Sequence, residues 1–216
     1  SGGLGNDLIN GGADNDWLSY AELTASTQAV TINLATLRAI GAAGNDTLAA
    51  FENVLTGAGN DFVVGDGLAN ILSTGEGADT LNGSTGNDSL SGGLGNDSLL
   101  GGTDNDTLDG SEGTDRLYGQ NGHDSITAGS AADLADGGEG NDIIDGGIGN
   151  DSLYGFTGND TIYGGDDNDL ISGWLDNDSI NGGNGNDQIF GDAGADTISG
   201  GLGNDLINGG ADNDWL

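Results

Sequence analysis

From Thr56 to Leu216 the chain repeats every nine residues without a slip. Units such as GGLGNDSLL (residues 92–100), GGEGNDIID (137–145) and GGNGNDQIF (182–190) show the pattern, and two more units fill residues 2–19. Another, GAAGNDTLA at 41–49, stands out of step with its neighbours. The sixth position is Asp in 20 of 21 units, the exception being Asn70. The eighth is a large aliphatic residue everywhere except Ala135. A nine-residue unit is too short to bury its own apolar residue, so units must stack on one another. Its first six residues, rich in Gly, Asn and Asp, suit a turn with left-handed backbone angles. The last three suit a very short strand whose middle residue points inward and whose neighbours point outward. Two units then make a coil of eighteen residues, and stacked coils bury the eighth-position columns between two sheets.

This pattern resembles GGxGxDxUx, the nonapeptide of the RTX (repeats-in-toxin) proteins, over about nine-tenths of the chain. The resemblance implies an all-β fold, a calcium-loaded parallel β-roll. Such a roll is a β-solenoid of about eighteen residues per coil with two short-stranded parallel sheets. It also implies that each ion takes Asp carboxylates and main-chain carbonyls from two stacked turns. That role falls on the sixth-position residues. One edge of the roll carries Asp61, Asp79, Asp97, Asp115, Asp133, Asp151, Asp169, Asp187 and Asp205. The other carries Asp88, Asp106, Asp124, Asp142, Asp160, Asp178, Asp196 and Asp214, with Asn70 at its start. Asp7, Asp16 and Asp46 hold the sixth place in the outlying units.

Residues eighteen apart lie one coil, about 4.8 Å, from each other. Neighbouring carboxylates in such a file repel by about 3 kcal/mol at an effective dielectric near 20. Two aliphatic side chains per coil are a small gain against the entropy of ordering eighteen residues. The empty roll is therefore expected not to fold, and a divalent cation between turns reverses the balance. Calcium suits hard oxygen ligands in a flexible cage. Asn70, in GDGLANILS, weakens the site it touches. The unit AGSAADLAD (128–136) lacks both the turn glycine and the core aliphatic, which predicts a loose coil. Asp14, Asp104, Asp167, Asp176 and Asp212 take the fourth position, where Asp substitutes for a turn glycine in the left-handed region.

The formal net charge is −34, with Arg38 and Arg116 as the only basic residues. That excludes nucleic acid and anionic membrane as partners and points to cations. There is no cysteine and no apolar run long enough for a membrane helix. Catalysis is not expected. The single histidine, His123, sits in a turn, there is no lysine for a P-loop, and equivalent repeated carboxylates do not divide into acid and base.

Three segments follow: a coil at 1–19, an interruption at 20–55 that contains the unit 41–49, and a continuous roll at 56–216. In the interruption, QAVTINLATLRAI alternates Val30, Ile32 and Leu34 with polar residues, as a half-buried strand does. Phe51, Val54 and Leu55 form a second apolar stretch. The expectation is of longer strands that continue the solenoid wall. Among the aromatics, Phe156 and Trp174 hold the second position eighteen residues apart and should stack outside the core, offering a lateral contact. Tyr118, Tyr154 and Phe190 face outward from one sheet and Tyr163 from the other.

SGGLGNDLINGGADNDWL occurs twice, at 1–18 and at 199–216, an offset of 198 residues or eleven coils. This duplication suggests one period of a longer tandem array, either end-to-end self-association or continuation of one chain. The functional expectation is a structural segment of a secreted bacterial extracellular fibre, filament or surface layer, exported by type I secretion and stiffened by calcium. The alternative is a calcium-triggered folding and secretion module of a type I-secreted enzyme, toxin or adhesin.

Overall fold

A computed structural model describes residues 3–216, so Ser1 and Gly2 of the duplicated segment lie outside the described residues. Short strands alternate between two sheets. The first eight are β1 (Leu8–Asn10), β2 (Trp17–Ser19), β3 (Val30–Asn33), β4 (Arg38–Gly41), β5 (Gly44–Ala49), β6 (Asn53–Leu55), β7 (Phe62–Val64) and β8 (Ile71–Ser73). Fourteen six-residue strands follow, from β9 (Thr80–Thr85) to β22 (Thr197–Leu202), and then β23 (Leu206–Asn208). One sheet runs β1-β5-β4-β3-β7 and continues through the odd-numbered strands to β23. The other runs β2-β6-β8 and continues through the even-numbered strands to β22.

From β7 onward every pairing is parallel with an offset of eighteen residues, as in Leu99↔Leu117 and Ile162↔Ile180. The fold is thus a parallel β-solenoid with two walls. The eighth-position residues form its core: Leu99, Leu117, Ile144, Leu153, Ile162 and Ile171 are all fully buried. Their strand neighbours face out, which is the period-two alternation of a pleated strand.

The strands of the regular roll are twice the expected length. The ladder does not stop at the aliphatic triplet but runs on through the glycine pair, so that Gly102 pairs with Gln120 and Thr103 with Asn121. Identical coils stack in register, so turn amides and carbonyls find the same partners one coil away that the strand groups do.

The unit 128–136 is not loose. β15 (Leu134–Glu139) pairs in full register on both sides. Ala135 and Ala128 are completely buried. Ala128 adds core volume at a position where most units have glycine.

The segment 20–55 differs from the expectation in strand direction. β3 and β4 have four residues each and β5 has six, against three in β7 and β8. They form an antiparallel hairpin, and β4 is also antiparallel to β5. β3 then pairs parallel with β7, so the three strands sit inside the odd-stranded wall. The alternation read from the sequence is present, with Val30, Ile32 and Leu34 all buried. The opposite wall has no counterpart to the hairpin, because β6 bridges β2 and β8 directly. Tyr20, Leu23, Leu34 and Phe51 are buried in this asymmetric stretch of the core.

The walls are therefore unequal. From β1 to β23 the thirteen-stranded wall counts twelve strand spacings. The ten-stranded wall counts nine, plus one for the bridge of Thr197 to Trp215. The eleven coils inferred from the 198-residue offset are the mean of the two.

Candidate metal centre

Each regular coil presents two turns, and each turn ends on a sixth-position carboxylate. These carboxylates are almost completely buried: Asp97 is 1% exposed, Asp142 1% and Asp196 0%. Their placement follows from the backbone. The Oδ1 atom of each accepts the main-chain amide of the equivalent Asp one coil earlier. Along one edge Asp61, Asp79, Asp97 and Asp115 donate to Asp79, Asp97, Asp115 and Asp133 at 2.7–2.8 Å. Along the other edge Asp88, Asp106, Asp124 and Asp142 donate to Asp106, Asp124, Asp142 and Asp160 at 2.8 Å. Both files run on to Asp205 and Asp214. The main-chain carbonyl of each Asp accepts from the following coil as well, as in Arg116 N–H to Asp97 O at 2.9 Å.

The second oxygen has no such partner. Oδ2 is buried without a hydrogen bond in Asp7, Asp16, Asp61, Asp79, Asp88, Asp97 and every later sixth-position Asp through Asp196. A buried ionised oxygen left alone is costly, and this cost is repeated in nearly every turn. The glycine that opens each turn makes room for it. A Cβ on Gly101 would stand 2.5 Å from Asp106 Oδ2 and 2.8 Å from the carbonyl oxygen of Gly119, one coil on. Two oxygens from stacked turns thus converge where a side chain would be.

Burial pushes these carboxyls up. Asp79, Asp97, Asp115 and Asp169 are raised to about 6, although the amide of the preceding Asp opposes the shift. Asp88, Asp142, Asp151 and Asp178 are raised to about 7, burial again leading and adjacent carboxylates adding to it. Groups so disposed favour either a proton or a metal cation.

The residues fit calcium. They offer hard oxygens, a buried unpartnered carboxylate atom in each turn and main-chain carbonyls from the coil above. Among the described residues no three His, Cys, Asp or Glu side chains converge on one point. A cation held here would draw on main-chain carbonyl oxygens, such as that of Gly119, beside the carboxylates.

Three of the expected ligands depart from the rule. Asp46 stands above Asp7 and accepts its amide at 3.0 Å, but its Oδ2 receives the hydroxyl of Tyr20. Burial and the adjacent Asp46 push the Tyr20 phenol upward, so it remains a donor across the neutral range. Asp205 and Asp214, in the last coil, are only half-buried, as Asp7 and Asp16 are near the other end, and the Oδ2 atoms of Asp205 and Asp214 are not enclosed.

The sequence reading missed Glu52. It occupies the sixth place in the coil above Asp16, whose amide it accepts through Oε2 at 2.9 Å. Its signal was hidden because no glycine turn precedes it. Above it, Asn70 donates Nδ2 to the Glu52 carbonyl at 2.9 Å, and its Oδ1 accepts the Asp66 amide at 2.8 Å. The amide at Asn70 thus fills the place of a carboxylate and needs no cation. Thr74 also stands where glycine is usual, and its hydroxyl donates to the Gly92 carbonyl at 2.6 Å.

A second file, also unanticipated, lies outside the first. Fifth-position Asn side chains accept the amide of the next coil: Asn159 from Asn177 at 3.1 Å, Asn168 from Asn186 at 2.8 Å and Asn186 from Asn204 at 3.0 Å. His123 is part of it. It donates its amide to Asn105 and accepts that of Asn141 at Nδ1, 2.7 Å. The recurring Asn before the Asp was the available clue. The five fourth-position Asp residues all have φ between 76° and 83°, confirming that they replace turn glycines.

A family model described as RTX calcium-binding nonapeptide repeat (4 copies) matches the chain at residues 1–21, 64–99, 73–108, 91–126, 100–135, 118–153, 154–189 and 181–216. The matches cover well over half the sequence and leave out the antiparallel hairpin. A search of curated proteins found no significant match. With its two files of buried, half-satisfied carboxylates, the chain belongs to the RTX calcium-binding nonapeptide repeat family.

Proposed function

We propose that this chain is a structural, non-catalytic segment of a secreted bacterial fibre, filament or surface layer. In this reading Ca2+ held between successive turns folds and stiffens it. The observation that carries the reading is the file of buried Asp Oδ2 atoms along both edges, unbroken from Asp61 to Asp187 on one and from Asp88 to Asp196 on the other. Calcium, when bound, would supply the positive charge that those atoms lack, with the carboxylate Oδ2 and main-chain carbonyl oxygens as its ligands. The chain's own groups do the rest. Oδ1 fixes the carboxylate by taking the amide of the neighbouring coil, and the turn glycine leaves the space open. Because every coil is tied to the next through the same carboxylates, an ion at one turn braces two coils. Export would proceed unfolded where calcium is scarce, with folding outside the cell where it is plentiful.

The 198-residue recurrence supports a long array of such segments, joined in one chain or end to end. At about 4.8 Å per spacing the two walls give roughly 48 and 58 Å per period. Electron microscopy of calcium-loaded material should therefore show an axial repeat near 50 Å, with the axis turning toward the shorter wall at residues 20–55. Isolated particles that never assemble when several periods are joined, or a repeat far from 50 Å, would contradict the fibre reading.

A further inference from the structure

The outer faces of the two walls are not alike. On the even-stranded wall the second position of successive units is glycine at 129, 147, 165, 183 and 201. On the odd-stranded wall the same column reads Gln120, Gly138, Phe156, Trp174 and Asp192. The four residues with side chains have φ of 77°, 71°, 77° and 72°, in the left-handed region that disfavours a Cβ. The fold does not require side chains there, since glycine serves on the opposite wall at every coil from Gly129 to Gly201, with Ser111 (φ 73°) a small exception before them. Backbone strain kept at four coils is a sign that the side chains have a use.

Those side chains build a surface. The rings of Phe156 and Trp174 stack at 5.3 Å and 14°, and Tyr154 tilts toward Phe156 at 6.1 Å. Next to Phe156 the column is empty at Gly138. A cleft of about 310 Å3 opens there between Phe156 and Gln120, with Asp136 and Glu139 beside it. Beyond Trp174 a second cleft, of about 530 Å3, is lined by Tyr154, Phe190, Ser172 and Asp192. Each cleft thus pairs an aromatic face with a carboxylate. Glu139 accepts from the Asn121 amide at 3.0 Å and Asp192 from the Ser172 hydroxyl, neutral donors that leave the charges in place. Arg116, the only basic residue in this half of the chain, lines a different cleft with Asp133 and Tyr154.

We infer that this face docks a basic polypeptide, whose guanidinium or ammonium groups enter the two clefts against Phe156 and Trp174 and opposite Asp136, Glu139 and Asp192. Such a group uses both halves of each cleft, the ring face and the carboxylate. A purely apolar partner would bury the carboxylates unpaired. A second copy of this chain, at −34 with two basic residues, would be repelled. Calcium would use the carboxylates and leave the rings idle. The inference is independent of the fibre reading, because a single calcium-loaded segment suffices to test it.

The test uses calcium-saturated protein carrying Trp17→Phe and Trp215→Phe, so that Trp174 is the sole indole. It is titrated with a short peptide alternating Arg and Gly, and with the same peptide in which citrulline replaces each Arg. A saturable change in Trp174 fluorescence is expected with the arginine peptide, at least tenfold weaker with citrulline. Phe156→Gly and Asp136→Asn should each weaken binding severalfold, while Tyr163→Ser on the other wall leaves it unchanged. Phe156→Gly installs the residue the left-handed turn prefers, so its circular dichroism should match the parent. Equal binding of the citrulline peptide would overturn the cationic partner in favour of a neutral one. Arginine-peptide binding indifferent to Phe156→Gly and Asp136→Asn would reduce it to diffuse attraction by an acidic protein.

Discussion

Residues 20–55 and residues 56–216 build the same walls and treat their buried acids in opposite ways. In the regular roll each sixth-position carboxylate from Asp61 to Asp196 gives one oxygen to a backbone amide and leaves the other bare. In the first segment and at its junction with the roll the chain satisfies its own groups: Tyr20 covers Asp46, and at Asn70, in the roll's second unit, an amide takes the place of a carboxylate above Glu52. The internal solution needs large special residues and an antiparallel hairpin, so it cannot be repeated every nine residues. The external one needs only Gly and Asp, and under the proposed reading it makes the fold conditional on a cation. A protein that must stay unfolded in one place and fold in another gains from the second arrangement.

The largest separation of the two regions should come from pH without calcium. Burial raises the folded-state values of Asp88, Asp142, Asp151 and Asp178 to about 7 and those of Asp97, Asp115 and Asp169 to about 6. Between the unfolded value near 4 and these, the folded roll holds more protons than the unfolded chain. Ion-free stability is therefore fully present below about pH 4 and is lost as pH rises through 6 to 7. Circular dichroism in excess chelator should show more β-structure at pH 4 than at pH 8. Calcium should reverse the trend, since protons compete with the ion.

Tyr20→Phe should make the first segment behave like the second. It strips the hydroxyl from a buried carboxylate, costing about 1–3 kcal/mol in chelator. Chemical denaturation should show the deficit shrinking when calcium is added. Asn70→Asp works the other way, replacing an amide donor by another bare acid. A loss of about 1 kcal/mol without calcium is expected, together with tighter or additional calcium uptake measured by calorimetry. The smallest effect belongs to Asp176→Gly. Asp176 has φ 76°, and glycine there should change stability by no more than about 1 kcal/mol, because relief of strain offsets added chain entropy.

Much of this was legible in the sequence because the repeat averages out accident. The buried column, the two Asp files, the left-handed Asp residues and the Phe156–Trp174 stack all follow from counting by nine and by eighteen. What escaped had no such redundancy. The direction of β4 depends on a single hairpin at residues 34–37. Glu52 stands eighteen residues before Asn70, in the roll's own register, but no Gly-rich turn marks its unit, and Tyr20 meets Asp46 across a contact that no period announces. The six-residue strands and the Asn file were hidden differently. They arise from stacking between coils, where a turn residue gains a ladder partner that a single unit does not reveal. The expectation of a loose coil at 128–136 failed because Ala128 and Ala135 together fill the space.

The central claim, that the regular roll depends on a cation for its bare carboxylates while the first segment satisfies its own, is met most directly by residue-resolved hydrogen exchange at pH 7.5 with and without calcium. The account predicts that the Asp amides of 61–196, each bonded to the next carboxylate, are strongly protected in calcium and exchange orders of magnitude faster in chelator. Amides around Tyr20, Asp46 and Asn70 should lose less. Equal protection of residues 56–216 in excess chelator would contradict it.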